Sequence, residues 1–117
     1  WVNAGFSAGT PRYRYATNGT PTSYDSSRTN LNDNKPHTVC WTHSTGGTLK
    51  VYVDGFLTNT FSSVMYNTTY TAIDTLGAGY NDADVFVGKM AEAMVYNSVL
   101  SEQDVRDLHY RASNTWF

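Results

Sequence analysis

Asn81, Asp82 and Asp84 place three oxygen-bearing side chains within four residues. Calcium takes six to eight oxygen ligands at about 2.3–2.6 Å. These three could supply part of such a shell, with backbone carbonyls and a second loop supplying the rest. Tyr80 adjoins them and offers a flat apolar ring with a polar tip, a shape suited to stacking on a sugar. The expected ligand-binding set is therefore Tyr80, Asn81, Asp82 and Asp84, with Asn81, Asp82 and Asp84 as the expected calcium ligands. A metal-free turn rich in Asn and Asp is the plainer reading of the same loop. Tyr13, Tyr15, Tyr66 and Tyr70 also fall in or beside expected loops and could present rings to a ligand.

Catalytic chemistry finds less support. A retaining glycosidase needs two carboxyl groups about 5–5.5 Å apart, which on a strand means acids two or four residues apart on one face. Glu92 and Glu102 are the only glutamates, and Glu102 falls at a helix start. Glu92, between Ala91 and Ala93, reads as a hydrogen-bonded structural carboxylate. The expectation is a protein that is not an enzyme. His37 and His43 lie about 20 Å apart if both stand on one strand, too far to chelate one metal. With His109 they read as structural. Cys40 is the single cysteine, so neither an internal disulfide nor a cysteine-based zinc site can form. Its mid-strand position marks a packed, inert thiol.

The net charge is −2 and the basic residues are scattered, which argues against nucleic acid as a partner. No apolar run approaches the ~20 residues that span a bilayer, so no membrane insertion is expected. Only 15% of residues are charged, while tyrosines number nine and Thr and Asn are plentiful. That balance fits an extracellular, cell-surface or virion-surface β protein. Residues 1–117 read as one domain. The chain opens at Trp1 rather than Met, and the expectation is a piece of a longer protein. Asn18-Gly19-Thr20 and Asn67-Thr68-Thr69 match the glycosylation sequon at about the frequency chance supplies.

The positioning elements follow from periodicity. Arg12-Tyr13-Arg14-Tyr15 alternates as a strand with both tyrosines on one face. Asn18-Gly19-Thr20-Pro21 is a turn, and residues 24–34 read as a polar loop. Residues 37–43 alternate again, then Leu49, Val51 and Val53 share a face opposite Lys50 and Tyr52. Asp54-Gly55 is a type I′ hairpin signal, and residues 56–61 return as the partner strand. Residues 76–80 look like a glycine-rich strand. Residues 85–96 are apolar on both faces and predict a central strand covered on both sides. Ser101 is a good helix N-cap, with Leu100 and Val105 as a hydrophobic staple, predicting a short helix over residues 101–111.

Three segments together resemble the laminin-G-like domains of the concanavalin A-like lectin and glucanase superfamily: residues 49–55 (Leu-Lys-Val-Tyr-Val-Asp-Gly), residues 86–92 and residues 95–102. The resemblance implies an all-β, two-sheet antiparallel jelly-roll sandwich with one short C-terminal helix. It also implies carbohydrate or protein binding at loops or on the concave sheet, sometimes with calcium. Pro36 stands where family members often carry Trp, and the family's usual opening strands are short or missing before Trp1. Either an upstream segment or another chain would complete the sheet.

The functional expectation is a non-catalytic recognition or adhesion module, with a glycan or a surface protein as partner. The alternative is a structural or assembly protein of a virus particle, such as a capsid decoration or tail-fibre domain. Incomplete sheets pair with neighbours, so a homo-oligomer or a neighbouring chain would suit that alternative.

Overall fold

The structure is a computed structural model that describes residues 2–17, 19–65, 75–78 and 85–117. Strands β1 (Val2–Ser7), β2 (Thr10–Thr17) and β3 (Thr20–Asp25) form one antiparallel sheet in that order. Strands β4 (Val39–His43), β5 (Leu49–Val53) and β6 (Phe56–Phe61) form the second. A single helix among the described residues, α1 (Glu102–Trp116), follows. The expected meander of three strands over residues 37–61 is present, although its first strand starts at Val39 rather than His37.

The sheets face each other across an aromatic core. Tyr13, Tyr15, Leu49 and Val64 are buried together, with Tyr24, Trp41 and Phe61 packed around them. Alternation on β2 sends Pro11, Tyr13 and Tyr15 inward. Ring contacts bridge the layers: Tyr24 meets Phe61 with centroids 5.4 Å apart, and Phe6 meets Trp41 edge-on at 6.2 Å. This arrangement is a β-sandwich, as expected.

Strand β5 is central and buried on both faces. Leu49, Val51 and Val53 face the other sheet. Tyr52, on the opposite face, is covered as well, because α1 lies on that side. Glu102 reaches Lys50 at 3.6 Å, Arg106 stacks over the Phe56 ring at 5.4 Å, and the His109 ring shares a 2.8 Å hydrogen bond with the Thr38 hydroxyl. Val105 is the buried residue of the helix. The Asp54-Gly55 turn forms as its sequence dictates, with φ of 52° and 83°.

Several expectations are corrected. Tyr24 and Asp25 belong to β3 rather than to a loop, because Tyr24 pairs with Tyr13 across the sheet. The helix runs five residues beyond Arg111, to Trp116. Residues 76–78 form a bend, not a strand. The largest departure is residues 85–96, which form no strand. Phe86 N–H donates to the Gly77 carbonyl at 2.7 Å, but no strand among the described residues pairs with the segment. Its apolar side chains stay in water: Val87 is 93% exposed and Val95 73%. Two three-stranded sheets have no position that covers this segment on both faces. The sandwich is open beside it, since Val2 and Phe6 of β1 are also exposed and Phe6 touches Phe86 with centroids 6.1 Å apart.

Candidate functional site

The sequence-predicted residues Tyr80, Asn81, Asp82 and Asp84 lie outside the described residues, as do Tyr66 and Tyr70. Tyr13 and Tyr15 do not present their rings to solvent; both are core residues. Among the described residues, no three His, Cys, Asp or Glu side chains gather where a metal could sit. Glu92 is exposed, with one carboxylate oxygen 3.8 Å from Arg111. It is a surface ion pair rather than a carboxylate built into the sheet.

A groove of about 300 Å³ runs between α1 and the chain leading into it. Ser101 starts α1 with a reciprocal cap: its hydroxyl accepts from Asp104 N–H at 3.1 Å, and the Asp104 carboxylate accepts from Ser101 N–H at 3.0 Å. These bonds to Ser101 hold the Asp104 carboxyl below its ordinary pKa. From that start, the helical repeat sets Asp104, Asp107, Leu108 and Arg111 along one face. Tyr96 and Leu100 line the other wall. Arg111 Nη2 and the Tyr96 hydroxyl both donate to Met94 Sδ at 3.3 Å, and Asp107 accepts from Gln103 at 2.8 Å. The groove thus combines an aromatic ring and apolar walls with two acceptor carboxylates and a fork of donors. Such a surface suits a polyhydroxylated ligand. The volume lies at the lower end for small-molecule sites. The i, i+3, i+4, i+7 spacing of Asp104, Asp107, Leu108 and Arg111 was its sequence signal.

All three histidines make hydrogen bonds within the fold. His43 sits between Tyr13, whose hydroxyl lies 3.0 Å from Nδ1, and the Val64 carbonyl, 3.2 Å from Nε2. A carbonyl only accepts, so Nε2 carries the proton and Nδ1 accepts from the tyrosine. Burial lowers the His43 pKa against the pull of the Val64 carbonyl, consistent with a neutral ring. His37 has Asp54 on Nδ1 at 3.0 Å and Asp33 on Nε2 at 3.0 Å. Cys40 is partly buried and its thiol is pushed up to about 11 by burial, which disfavours the reactive thiolate.

Sequence reasoning missed two polar arrangements. Arg12 grips Asp25 with two nitrogens, at 2.6 and 2.8 Å; the residues are thirteen apart and meet only through the β2–β3 register. The Asp33–His37–Asp54 chain joins a loop to the β5–β6 turn. Its one local signal was the i, i+4 spacing of Asp33 and His37.

Two facing antiparallel sheets with a helix over one outer face define a lectin-like β-sandwich. The chain belongs to the concanavalin A-like lectin/glucanases superfamily: its laminin-G family model matches residues 2–106. A rat protein, Sushi, von Willebrand factor type A, EGF and pentraxin domain-containing protein 1, is 32% identical over 79 residues. That match covers 60% of the chain and 2% of the rat protein. Among solved structures, an S-layer domain-containing protein from Clostridium thermocellum superposes with a TM-score of 0.59 at 16% identity. It covers 86% of this chain and 52% of that one, and supports the fold alone.

Proposed function

We propose that this chain is a non-catalytic recognition module working outside the cell or on a surface, with a glycan as ligand. The observation that carries this reading is the groove of Tyr96, Leu100, Asp104, Asp107, Leu108 and Arg111. Its ring can stack on a sugar face while its carboxylates and guanidinium engage hydroxyls. The two glutamates, Glu92 and Glu102, are held in surface ion pairs with Arg111 and Lys50, which supports binding over catalysis. The surface setting draws support from the family and from the rat relative, whose own name lists EGF and pentraxin domains. Tyr80, Asn81, Asp82 and Asp84 form a second candidate contact, with calcium held by Asn81, Asp82 and Asp84.

A glycan array, run with calcium and with chelator, tests the reading. The expected result is a binder whose affinity falls about tenfold in Tyr96→Ala or Arg111→Ala, the scale of one lost stacking or charge-assisted contact. Loss in Tyr80→Ala instead moves the site to the loop. No binder under either condition overturns the proposal. Calcium is read separately by thermal unfolding: a midpoint raised by millimolar calcium, and no longer raised in Asp82→Ala with Asp84→Ala, supports the metal.

The uncovered run over residues 85–99 favours a second reading, an assembly protein such as a capsid decoration or tail-fibre domain on a virus particle. Exposed apolar stretches of this kind are covered in assemblies. Mass in solution separates the two: a monomer favours the lectin-like reading, and a tight symmetric oligomer favours assembly.

A further inference from the structure

We propose that Asp33, His37 and Asp54 form a proton-operated latch that holds the 32–36 loop to the β5–β6 turn in mild acid and releases it as pH rises. Both nitrogens of the His37 ring face carboxylates. Nδ1 lies 3.0 and 3.2 Å from the two Asp54 oxygens, and Nε2 lies 3.0 Å from Asp33 Oδ1. An ionised carboxylate only accepts, so each ring nitrogen must bring a proton, and only the imidazolium carries two. A neutral ring can keep one bond and must turn a lone pair toward the other carboxylate.

The surroundings decide which bond is lost. Asp54 also accepts from Thr38 N–H at 3.1 Å, has Arg28 at 3.6 Å, and donates its own N–H to the Thr38 carbonyl at 2.9 Å. Its side chain is 23% exposed, against 38% for Asp33. Asp33 sits in the loop itself and is the partner released. Asp33 Oδ1 also accepts from Lys35 N–H at 3.0 Å, so that amide reports on the same oxygen. Leu31 N–H remains tied to the Gly9 carbonyl at 2.9 Å, which confines the opening to residues 32–36.

Asp33 from the connecting loop and Asp54 from the turn face the ring; beyond them, the Lys35 amide bonds Asp33, the Arg28 guanidinium lies by Asp54, and His109 of α1 meets the neighbouring Thr38. Burial disfavours the charged ring, but the hydrogen bonds it donates to Asp54 and Asp33 and their charges outweigh it, so the His37 pKa lies above its ordinary 6.5. A histidine raised in this way stabilises the fold fully below its unfolded pKa, and loses that contribution as pH rises through the folded one. At the acid end, His37 and the Lys35 amide hold the Asp33 carboxyl below its ordinary 3.8, which extends the Asp33 arm of the latch toward low pH. The device is independent of any glycan site.

Nuclear magnetic resonance on the 117-residue chain between pH 4 and 9 tests it. The His37 ring is expected to titrate above 6.5, with the Asp33 and Lys35 amides following the same midpoint. Exchange of the Lys35 amide, corrected for intrinsic pH dependence, is expected to quicken at least about fivefold above that midpoint. Asp33→Asn keeps an acceptor for Lys35 N–H. It should lower the His37 midpoint and uncouple the Lys35 amide from it. A His37 midpoint at or below 6.5, a Lys35 amide indifferent to the titration, or coupling that survives Asp33→Asn would each overturn the latch.

Discussion

Gly55 lies directly beneath His109: a Cβ built at Gly55 would stand 3.0 Å from the His109 Cβ and 3.2 Å from its ring. The tightest turn of the second sheet is therefore also the seat of the C-terminal helix. The backbone there has φ of +83°, a conformation that penalises any side chain. Gly55→Ala is expected to cost about 1–3 kcal/mol from backbone strain alone. Contact with His109 adds to it, and the Thr38–His109 bond should weaken. Urea unfolding followed by fluorescence measures the first effect, and His109 ring shifts report the second.

Leu49 is fully buried and packs with Tyr13, Tyr15 and Val64, where the two sheets meet. Leu49→Ala leaves a cavity lined by rigid rings that collapse poorly. The expected loss is about 3 kcal/mol, within the usual range for leucine truncation in a core. A loss under about 1 kcal/mol by denaturant titration would contradict a core shared by both sheets.

The second sheet was legible because its signals are local. Alternation in Leu49-Lys50-Val51-Tyr52-Val53 and the Asp-Gly turn set the register, and the Ser101 cap set the helix start. What failed depended on partners far along the chain. Alternation grouped Tyr13 with Tyr15 but did not say which side the second sheet would cover. A run apolar on both faces, residues 85–96, predicted burial that two three-stranded sheets do not provide. The β-bulge at Val51/Tyr52 left no mark in the sequence. It sets Thr58 where its hydroxyl donates to the Val51 carbonyl at 3.1 Å and lies 3.0 Å from the Ser26 hydroxyl, joining β6 to the inter-sheet loop. Of the groove, the helix face of Asp104, Asp107 and Arg111 carries a spacing signal that the sequence analysis did not single out, and Tyr96 reaches it only through the path of the preceding chain.

His43 is expected to titrate below 6.5, and thus below His37. Its folded pKa is depressed, so keeping the ring neutral contributes stability fully above the unfolded value. That contribution is lost as pH falls from there through the folded pKa. Tyr13→Phe removes a hydroxyl that donates to Nδ1 only when the ring is neutral. It should move the His43 midpoint up toward the ordinary value and weaken the fold by about 1 kcal/mol at neutral pH. Ring-proton shifts across pH 4–8 give both midpoints, and a His43 midpoint above that of His37 would contradict this account.

Cys40 offers a probe of the helix-covered face. Its side chain shares that face with Thr42 and Tyr52, because residues two apart on a strand, and directly paired residues on neighbouring strands, point the same way. With the thiol pushed up to about 11, only about one molecule in a thousand carries the thiolate at pH 8. Aromatic disulfide reagents should therefore label the native chain slowly, and the urea-unfolded chain within the mixing time. Val105 is the buried anchor of α1 at 4% exposure. Val105→Ala should loosen the helix and raise the native labelling rate severalfold, whereas Val87→Ala, in the exposed run, should leave it unchanged. Rapid labelling of the native chain would mean that the outer face of the second sheet is open to solvent, and that α1 does not seal it.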